Sequence, residues 1–81
     1  MFDPPALDQF TARRELLLLT VFRKGEGWGM RVEEIDDDPE GAWAPDMTYP
    51  DEEAAKAEAI LAVQEIFGYG YTERDFQWEP A

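Results

Sequence analysis

The sequence contains no histidine, cysteine, serine or asparagine among its 81 residues. Without cysteine there is no disulfide, no thiolate nucleophile and no zinc site of the usual Cys/His kind. Without histidine or serine, the familiar pairing of a nucleophile with a histidine base cannot be assembled. Nineteen acids make neighbouring carboxylates unavoidable, but no feature marks one pair as the buried pair that glycosidase chemistry needs. We therefore predict a protein that is not an enzyme and uses no cofactor.

Long apolar runs are also missing. No stretch approaches the roughly eighteen apolar residues of a membrane-spanning helix, so we predict no transmembrane segment. The first ten residues, MFDPPALDQF, include acids and lack the basic and apolar regions of a secretory signal. The absence of cysteine fits a reducing compartment. Together these observations predict a cytoplasmic protein.

Positive charge is scarce. Seven Lys and Arg residues stand against nineteen Asp and Glu, which gives a net charge of −12 and a pI near 4.1. Such a chain is repelled by nucleic-acid phosphates and by anionic lipid, so we predict direct binding to neither. Basic proteins attract it. The 44 % hydrophobic content and eleven aromatic residues predict a folded core, and the length predicts one domain over residues 1–81.

The first half of the chain predicts strands. Residues 1–12 read as an extended lead-in, with a short helical turn over Ala6–Phe10. The stretch Glu15–Lys24 is apolar on both alternating faces, which favours a central strand. Gly25, Glu26 and Gly27 form a hairpin loop, and Trp28–Ile35 is the second strand. In that strand Trp28, Met30 and Val32 face the core and the other face is wet, with Ile35 as its apolar exception.

The second half predicts an edge segment and a helix. A short third strand or irregular arm runs over Ala42–Tyr49. Pro45 cannot donate a hydrogen bond to a neighbouring strand, so the segment lies at a sheet edge. Trp43, Met47 and Tyr49 are expected on the same face of it. Asp51 is the N-cap of a helix that ends before Gly68. At 100° per residue, one apolar stripe forms on it: Ala55, Ala59, Ala62, Val63 and Ile66, with Ile60 and Phe67 at its edge.

These elements predict the fold class. A last strand at Phe76–Trp78 pairs at the sheet edge. The result is an α+β domain, a small antiparallel sheet of three to four strands with one α-helix packed on a face, in the order β-β-β-α-β. The order of strands within the sheet stays open. Leu61 lies opposite the buried stripe, so either the C-terminal segment covers it or another chain contacts it. A homodimer through the helix face around Leu61 is one such contact.

The stretch Glu33–Glu53 holds ten carboxylates and no Lys or Arg. The helix-start acids have a local reason to be there, because they complement the positive end of the helix dipole. The other residues are candidates for binding a basic partner, with the carboxylates in the place of phosphates and the aromatic side chains as anchors. They are Glu33, Glu34, Asp36, Asp37, Asp38, Glu40, Trp43, Asp46 and Tyr49. A solvated acidic loop that only promotes solubility is the competing interpretation.

Calcium binding is a further alternative for the same residues. The loop Asp36–Gly41 matches the first six positions of an EF-hand, including the glycine at the sixth. The twelfth position is Met47 where the pattern needs Glu, and strands flank the loop where the pattern has helices. We therefore expect no metal site here, and calcium binding remains the least favoured of the binding alternatives.

The composition and the displayed stretch Glu33–Glu53 resemble a class of small phage-encoded inhibitors, the anti-CRISPR and DNA-mimic proteins. The resemblance is to a class of acidic proteins, because no diagnostic motif and no common fold define it. It implies an inhibitor in a bacterial host cytoplasm that binds a basic, nucleic-acid-binding protein or complex and competes with nucleic acid.

A second resemblance is to the HicB-type antitoxin domain, in which strands lead through a Pro-Asp segment into a helix that begins Glu-Glu-Ala. Here Pro45-Asp46-Met47 and Asp51-Glu52-Glu53-Ala54 occur in that order. The glycine-containing turn that is usual between the two parts is missing, and no DNA-binding tail follows. This resemblance implies an antitoxin or immunity-type partner that neutralises a basic toxin.

Overall fold

A computed structural model describes residues 8–35 and 42–80. Four strands form one antiparallel sheet: β1 (Gln9–Arg14), β2 (Leu17–Lys24), β3 (Gly27–Glu34) and β4 (Glu79–Pro80). The order across the sheet is β3-β2-β1-β4. One helix, α1 (Glu52–Glu65), packs against β2 and β3. The predicted α+β class and the order β-β-β-α-β are confirmed.

Strand β2 is central, as its Leu-rich sequence predicts, because β1 and β3 pair on its two sides. Leu17, Leu19 and Val21 are fully buried under the helix, while the alternate residues Leu18, Thr20 and Phe22 are half-buried. The prediction of a strand covered on both faces is therefore right for one face. No element of residues 8–35 or 42–80 is packed over the other, which we call the open face.

The hairpin between β2 and β3 follows from two glycines. Gly25 has φ +62°, a left-handed conformation that glycine adopts without steric cost. The register then places Leu19 opposite Val32 and Val21 opposite Met30, so the apolar residues of both strands face the helix. The predicted core face of β3 is confirmed, and Ile35, which follows the end of β3, is 39 % exposed.

The chain enters the sheet earlier than the sequence predicts. Residues 9–12 of the expected lead-in belong to β1, so the expected helical turn is wrong for Gln9 and Phe10, while residues 1–7 lie outside the described chain. Phe10 and Ala12 pair with Val21 and Leu19 of β2 and share its core face. Strand β1, which the sequence analysis did not predict, thus lies between β2 and β4 in the sheet.

The segment Ala42–Tyr49 is an irregular arm and not a strand. Two isolated bridges join it to the outer edge of β3, Trp43 to Val32 and Tyr49 to Trp28. Between the two bridges there are five residues on the arm but only three on β3, so the arm bulges. Met47 was predicted to face the same way as Trp43 and Tyr49, but its side chain is exposed. The edge position that Pro45 predicts is confirmed.

Helix α1 begins where predicted. The carboxylate Oδ1 of Asp51 accepts a hydrogen bond from the backbone N–H of Ala54 at 2.8 Å, which is N-cap geometry. The inner face then buries small and branched side chains: Ala55, Ala59, Ile60, Ala62 and Val63. Ile66 was predicted to continue this stripe, but it is the C-cap residue and is exposed, because the helix ends at Glu65. Gly68 follows with φ +79°.

The last segment returns to the sheet beside β1. The predicted strand Phe76–Trp78 is displaced along the chain, because the pairing occurs at Glu79–Pro80, opposite Thr11 and Phe10. Phe76 is buried in the core, whereas Leu61 remains exposed on the outer side of α1. Neither α1 nor any other helix of the described chain is long and apolar enough to cross a membrane.

Candidate functional site

Nine residues were predicted to bind a partner, and the structure describes five of them: Glu33, Glu34, Trp43, Asp46 and Tyr49. The other four lie outside the described residues: Asp36, Asp37, Asp38 and Glu40. The five described residues all lie on β3 or on the arm that borders it. The predicted site therefore follows one edge of the sheet.

The two glutamates at the end of β3 point to opposite faces of the sheet, since successive side chains alternate along a strand. Glu33 is on the open face, where its Oε2 lies 3.6 Å from an Nη of Arg31. Glu34 is on the helix side and accepts a hydrogen bond from the Tyr69 hydroxyl at 3.0 Å. Both side chains are half-buried. Each carboxylate therefore contacts a residue of the same molecule and is also partly exposed to solvent.

The two aromatic residues of the predicted site fasten the arm to the sheet. The N–H and C=O of Trp43 both bond to Val32, at 2.7 and 2.9 Å, and those of Tyr49 both bond to Trp28, at 2.7 and 2.9 Å. Tyr49 is only 8 % exposed and belongs to the core, while Trp43 packs at its margin. Trp43 therefore has more surface to offer a partner than Tyr49.

Burial has an electrostatic consequence for Tyr49. Desolvation raises the pKa of its phenol above the ordinary value of 10.0, and the nearby negative charge of Glu58 raises it further. Both causes disfavour the phenolate. Tyr49 is thus a neutral packing residue at physiological pH, and it supplies an apolar ring rather than a charge to this edge.

Asp46 has the most exposed side chain among the five described members of the predicted site. Oδ1 of its carboxylate is 3.2 Å from the Nζ of Lys24. The Asp46 side chain is fully exposed to solvent, so this ion pair is screened and weak. The Asp46 carboxylate therefore lies at the surface, beside the end of β2.

The three described acids of the predicted site, Glu33, Glu34 and Asp46, do not converge. Trp28 and Glu34 are six residues apart on β3, which corresponds to about 20 Å at the usual strand rise. Glu34 lies at one end of this edge, and the arm carries Asp46 towards the other. Within residues 8–35 and 42–80, no three acidic side chains are grouped closely enough to hold a metal ion. The calcium alternative concerns the loop Asp36–Gly41, which lies outside those residues and stays a prediction.

The outer side of α1 extends the acidic surface. Glu53 and Glu65 are exposed on it, and Glu58 is half-buried. The one cation of the helix, Lys56, is turned inward, with its Nζ 3.1 Å from Oε2 of Glu52 and 4.6 Å from the ring centroid of Phe10. Because Lys56 is engaged in this way, the exposed glutamates keep most of their charge uncompensated.

The open face of the sheet carries charges of both signs. Register places Arg13, Leu18 and Glu33 side by side, and Arg31 opposite Thr20, so these residues share that face. Lys24 has the same parity. Three of the seven cations of the chain therefore lie on the open face. Arg14 and Arg23 have the opposite parity and Lys56 is on α1, so cations lie on both sides of the sheet.

Sequence reasoning missed one group of residues at the end of the sheet. The rings of Tyr69 and Tyr71 stack with centroids 5.7 Å apart, and the guanidinium of Arg14 lies 5.4 Å from the Tyr71 centroid. These side chains border a turn at Glu15 and Leu16 that contains no glycine or asparagine. No motif marks such a turn, so only the pairing of β1 with β2 reveals it.

Comparison of the chain with protein-family models, with curated proteins and with solved structures finds no match. The resemblances to DNA-mimic inhibitors and to HicB-type antitoxins accordingly stay predictions. Function is therefore inferred from the residues and from their geometry.

Proposed function

We propose that this protein is a non-enzymatic inhibitor that presents an acidic surface to a basic, nucleic-acid-binding protein or complex and competes with nucleic acid for it. The partner-binding surface follows the outer edge of β3 and the arm, together with the predicted acids Asp36, Asp37, Asp38 and Glu40. The site of action is the cytoplasm, and it is that of a bacterial host if the gene is carried by a phage.

The observation that carries the proposal is how the arm is held. Trp43 and Tyr49 tie it to β3 by four backbone hydrogen bonds, so their rings pack inward while Asp46 projects into solvent. An acidic segment that served solubility alone would need no such attachment. The attachment fixes the carboxylate of Asp46 beside the edge of β3, whose far end carries Glu33 and Glu34. Carboxylates held at set positions in this way can pair with the Lys and Arg side chains of a basic groove.

The mechanism is displacement. A basic groove that binds nucleic acid holds its phosphates through Lys and Arg side chains, and much of that affinity comes from the release of counterions. A protein surface bearing carboxylates offers the same cations an alternative partner. Steering between opposite charges speeds the encounter. Occupancy of the groove by either ligand then excludes the other.

The experiment measures displacement directly. A fluorescent DNA duplex is bound to an RNA-guided nuclease or to another basic DNA-binding protein, and the acidic protein is titrated in while anisotropy is recorded. We expect displacement at about one protein per complex, with an apparent affinity that falls steeply between 50 and 300 mM salt. An affinity indifferent to salt would contradict the proposal.

A matched pair of triple variants tests the location. The variant D36K/D37K/D38K and the control E65K/E73K/E79K change the net charge by the same amount at different places. The proposal expects the first to weaken displacement at least tenfold and the control to weaken it several-fold less. Equal effects would show that only total charge matters.

A second function, an antitoxin or immunity-type partner, shares most of this surface. The observation in its favour is that Pro45 and Asp46 lie in the arm directly before a helix that begins Glu52-Glu53-Ala54 on an α+β scaffold. Here the partner would be a basic toxin. Co-expression that rescues cells from a toxin encoded beside this gene, without any displacement of DNA, would favour this candidate over the first.

A further inference from the structure

The turn between β1 and β2 is conformationally strained. Glu15 has φ +53°, and it is the one residue other than glycine with a positive φ among those described. Residues with a Cβ avoid this region, because the Cβ approaches the following carbonyl oxygen. Strain of this kind persists only where the surrounding structure holds it, and it is often found at binding sites. Here it accompanies the display of Leu16, which is 47 % exposed.

A second exposed aliphatic residue is fixed beside this turn. The backbone N–H of Ile35 donates to the carbonyl oxygen of Leu16 at 2.6 Å, and the Ile35 side chain is 39 % exposed. The hydrogen bond ties the end of β3 to the turn. The two exposed side chains therefore belong to one apolar patch at this end of the sheet.

A small recess opens beside the patch. It has a volume of about 70 Å³ and is lined by Leu16, Leu17, Tyr69 and Tyr71, together with the side chains of Arg14 and Glu15. A water molecule takes up about 30 Å³ in the liquid, so the recess has room for a small aliphatic group. The stacked tyrosine rings and the Arg14 guanidinium over Tyr71 form one of its walls.

The described charges around the recess are of both signs, and the preference for a cationic neighbour comes from the net charge of −12. Glu15 is exposed beside it, and Glu34 lies next to Ile35. The sequence continues from Ile35 into Asp36, Asp37 and Asp38, which lie outside the described residues. Two arginines are also at this end: Arg14 is stacked on Tyr71, and Arg13 is on the open face. The recess thus combines an apolar interior with nearby carboxylates.

We propose that the Leu16 recess (Leu16, Leu17, Tyr69 and Tyr71), with Ile35 beside it, is the apolar anchor point of the partner interface. It receives one aliphatic side chain of the partner, and Lys or Arg residues on both sides of that side chain meet Glu15 and Glu34. This inference rests on the proposed function, because it assigns the specific contact within the acidic interface. A second copy of the chain is a poor occupant, since the two acidic surfaces would repel each other.

The experiment uses two synthetic peptides as probes. Each has nine residues, with four lysines on either side of a central leucine in one peptide and a central serine in the other. Methyl-labelled protein is titrated with each peptide at low salt, and NMR shifts are followed. We expect the leucine peptide to bind at least fivefold more tightly and to shift the methyl signals of Leu16 and Ile35.

Two matched variants locate the contact. Leu16→Gln and Leu61→Gln remove the same side chain at similar exposure, 47 % and 43 %, on different parts of the molecule. Leu16→Gln is expected to abolish the preference for the leucine peptide and Leu61→Gln to leave it intact. The reverse pattern would overturn the inference. Should Leu16→Gln fail to give a native circular dichroism spectrum, Ile35→Gln takes its place with the same expectation.

The outcomes separate this inference from the function on which it rests. If both peptides bind equally and their affinity falls with salt, the acidic interface stands and the anchor point is wrong. If neither peptide binds, the proposal of a basic partner itself fails. Analytical ultracentrifugation of the free protein tests whether a second copy of the chain occupies the recess. Self-association that Leu16→Gln removes would show a homodimer contact and overturn the inference.

Discussion

The hydroxyl of Tyr69 donates a hydrogen bond to Oε2 of Glu34 across 3.0 Å and thereby joins the segment after α1 to the end of β3. The two residues are 35 positions apart in the chain. Their contact holds the helix end over the sheet at the point where the acidic stretch begins. It also places the Tyr69 ring against Tyr71, so one side chain links the acidic edge to the Leu16 recess.

The Tyr69 hydroxyl is expected to stabilise the fold. Tyr69→Phe keeps the stacked ring and removes the hydrogen bond to a carboxylate, so we expect the free energy of unfolding in urea to fall by about 1 kcal/mol. Tyr71→Phe is the control, because no hydrogen bond from its hydroxyl forms within the described residues, and a change below about 0.5 kcal/mol is expected. Equal losses in the two variants would show that the Glu34 contact contributes nothing.

The N-cap is the second place where one carboxylate should matter. Asp51→Ala removes the acceptor for the Ala54 N–H and should lower the free energy of unfolding by about 1 kcal/mol. Asp46→Ala removes a fully exposed carboxylate whose ion pair with Lys24 lies at the surface, so its effect should stay within about 0.5 kcal/mol. A larger loss for Asp46→Ala than for Asp51→Ala would contradict both assignments.

The docking of the arm can be tested at Gly27. A Cβ at this position would lie 2.6 Å from the carbonyl oxygen of Tyr49 and would also overlap the Thr48 side chain. Gly27→Ala must therefore push the arm away from β3, at a cost of about 1–3 kcal/mol in unfolding free energy. Gly70→Ala is the control, because a Cβ there would meet no described atom within 4 Å, and it should not destabilise the protein.

The buried phenol predicts a dependence on alkaline pH. Burial and Glu58 raise the pKa of Tyr49, so the folded state holds the phenolic proton more tightly than the unfolded state does. The resulting stability is complete below about pH 10 and is lost as the pH rises through the pKa of the folded state. In urea titrations at pH 9 and above pH 10, Tyr49→Phe should lose less stability than the wild type. An identical alkaline loss in both proteins would show that Tyr49 is not its source.

The parts of the fold that sequence predicts well are those whose local signals agree. The central strand, the glycine hairpin and the Asp51 cap each combine residue preference with a clear pattern, and the structure contains all three. Strand β1 lacks such a pattern, because its sequence QFTARR has only Phe10 and Ala12 as apolar residues. Its place in the sheet is set by pairing with β2, a tertiary effect that local sequence does not encode.

The candidate site divides in the same way. Acidic residues are visible in a sequence, so the stretch from Glu33 to Glu53 is found by composition alone. What composition does not give is the direction of each side chain: Glu33 and Glu34 face opposite sides of the sheet, and Tyr49 faces the core. The Leu16 recess is formed by Leu16 and Leu17 together with Tyr69 and Tyr71, more than fifty positions away, so no local sequence pattern predicts it.

The arm has one more consequence, for the behaviour of the protein in concentrated solution. Its bonds to Trp28 and Val32 occupy outward-pointing backbone groups on the last strand of the sheet. An uncovered strand at that position would be a template on which other chains could add strands and form insoluble aggregates. The arm blocks that template with a bulged, proline-containing segment, and its exposed carboxylate repels an approaching copy. The arm that offers a carboxylate to a basic partner thus also prevents β3 from pairing with a strand of another copy of the protein.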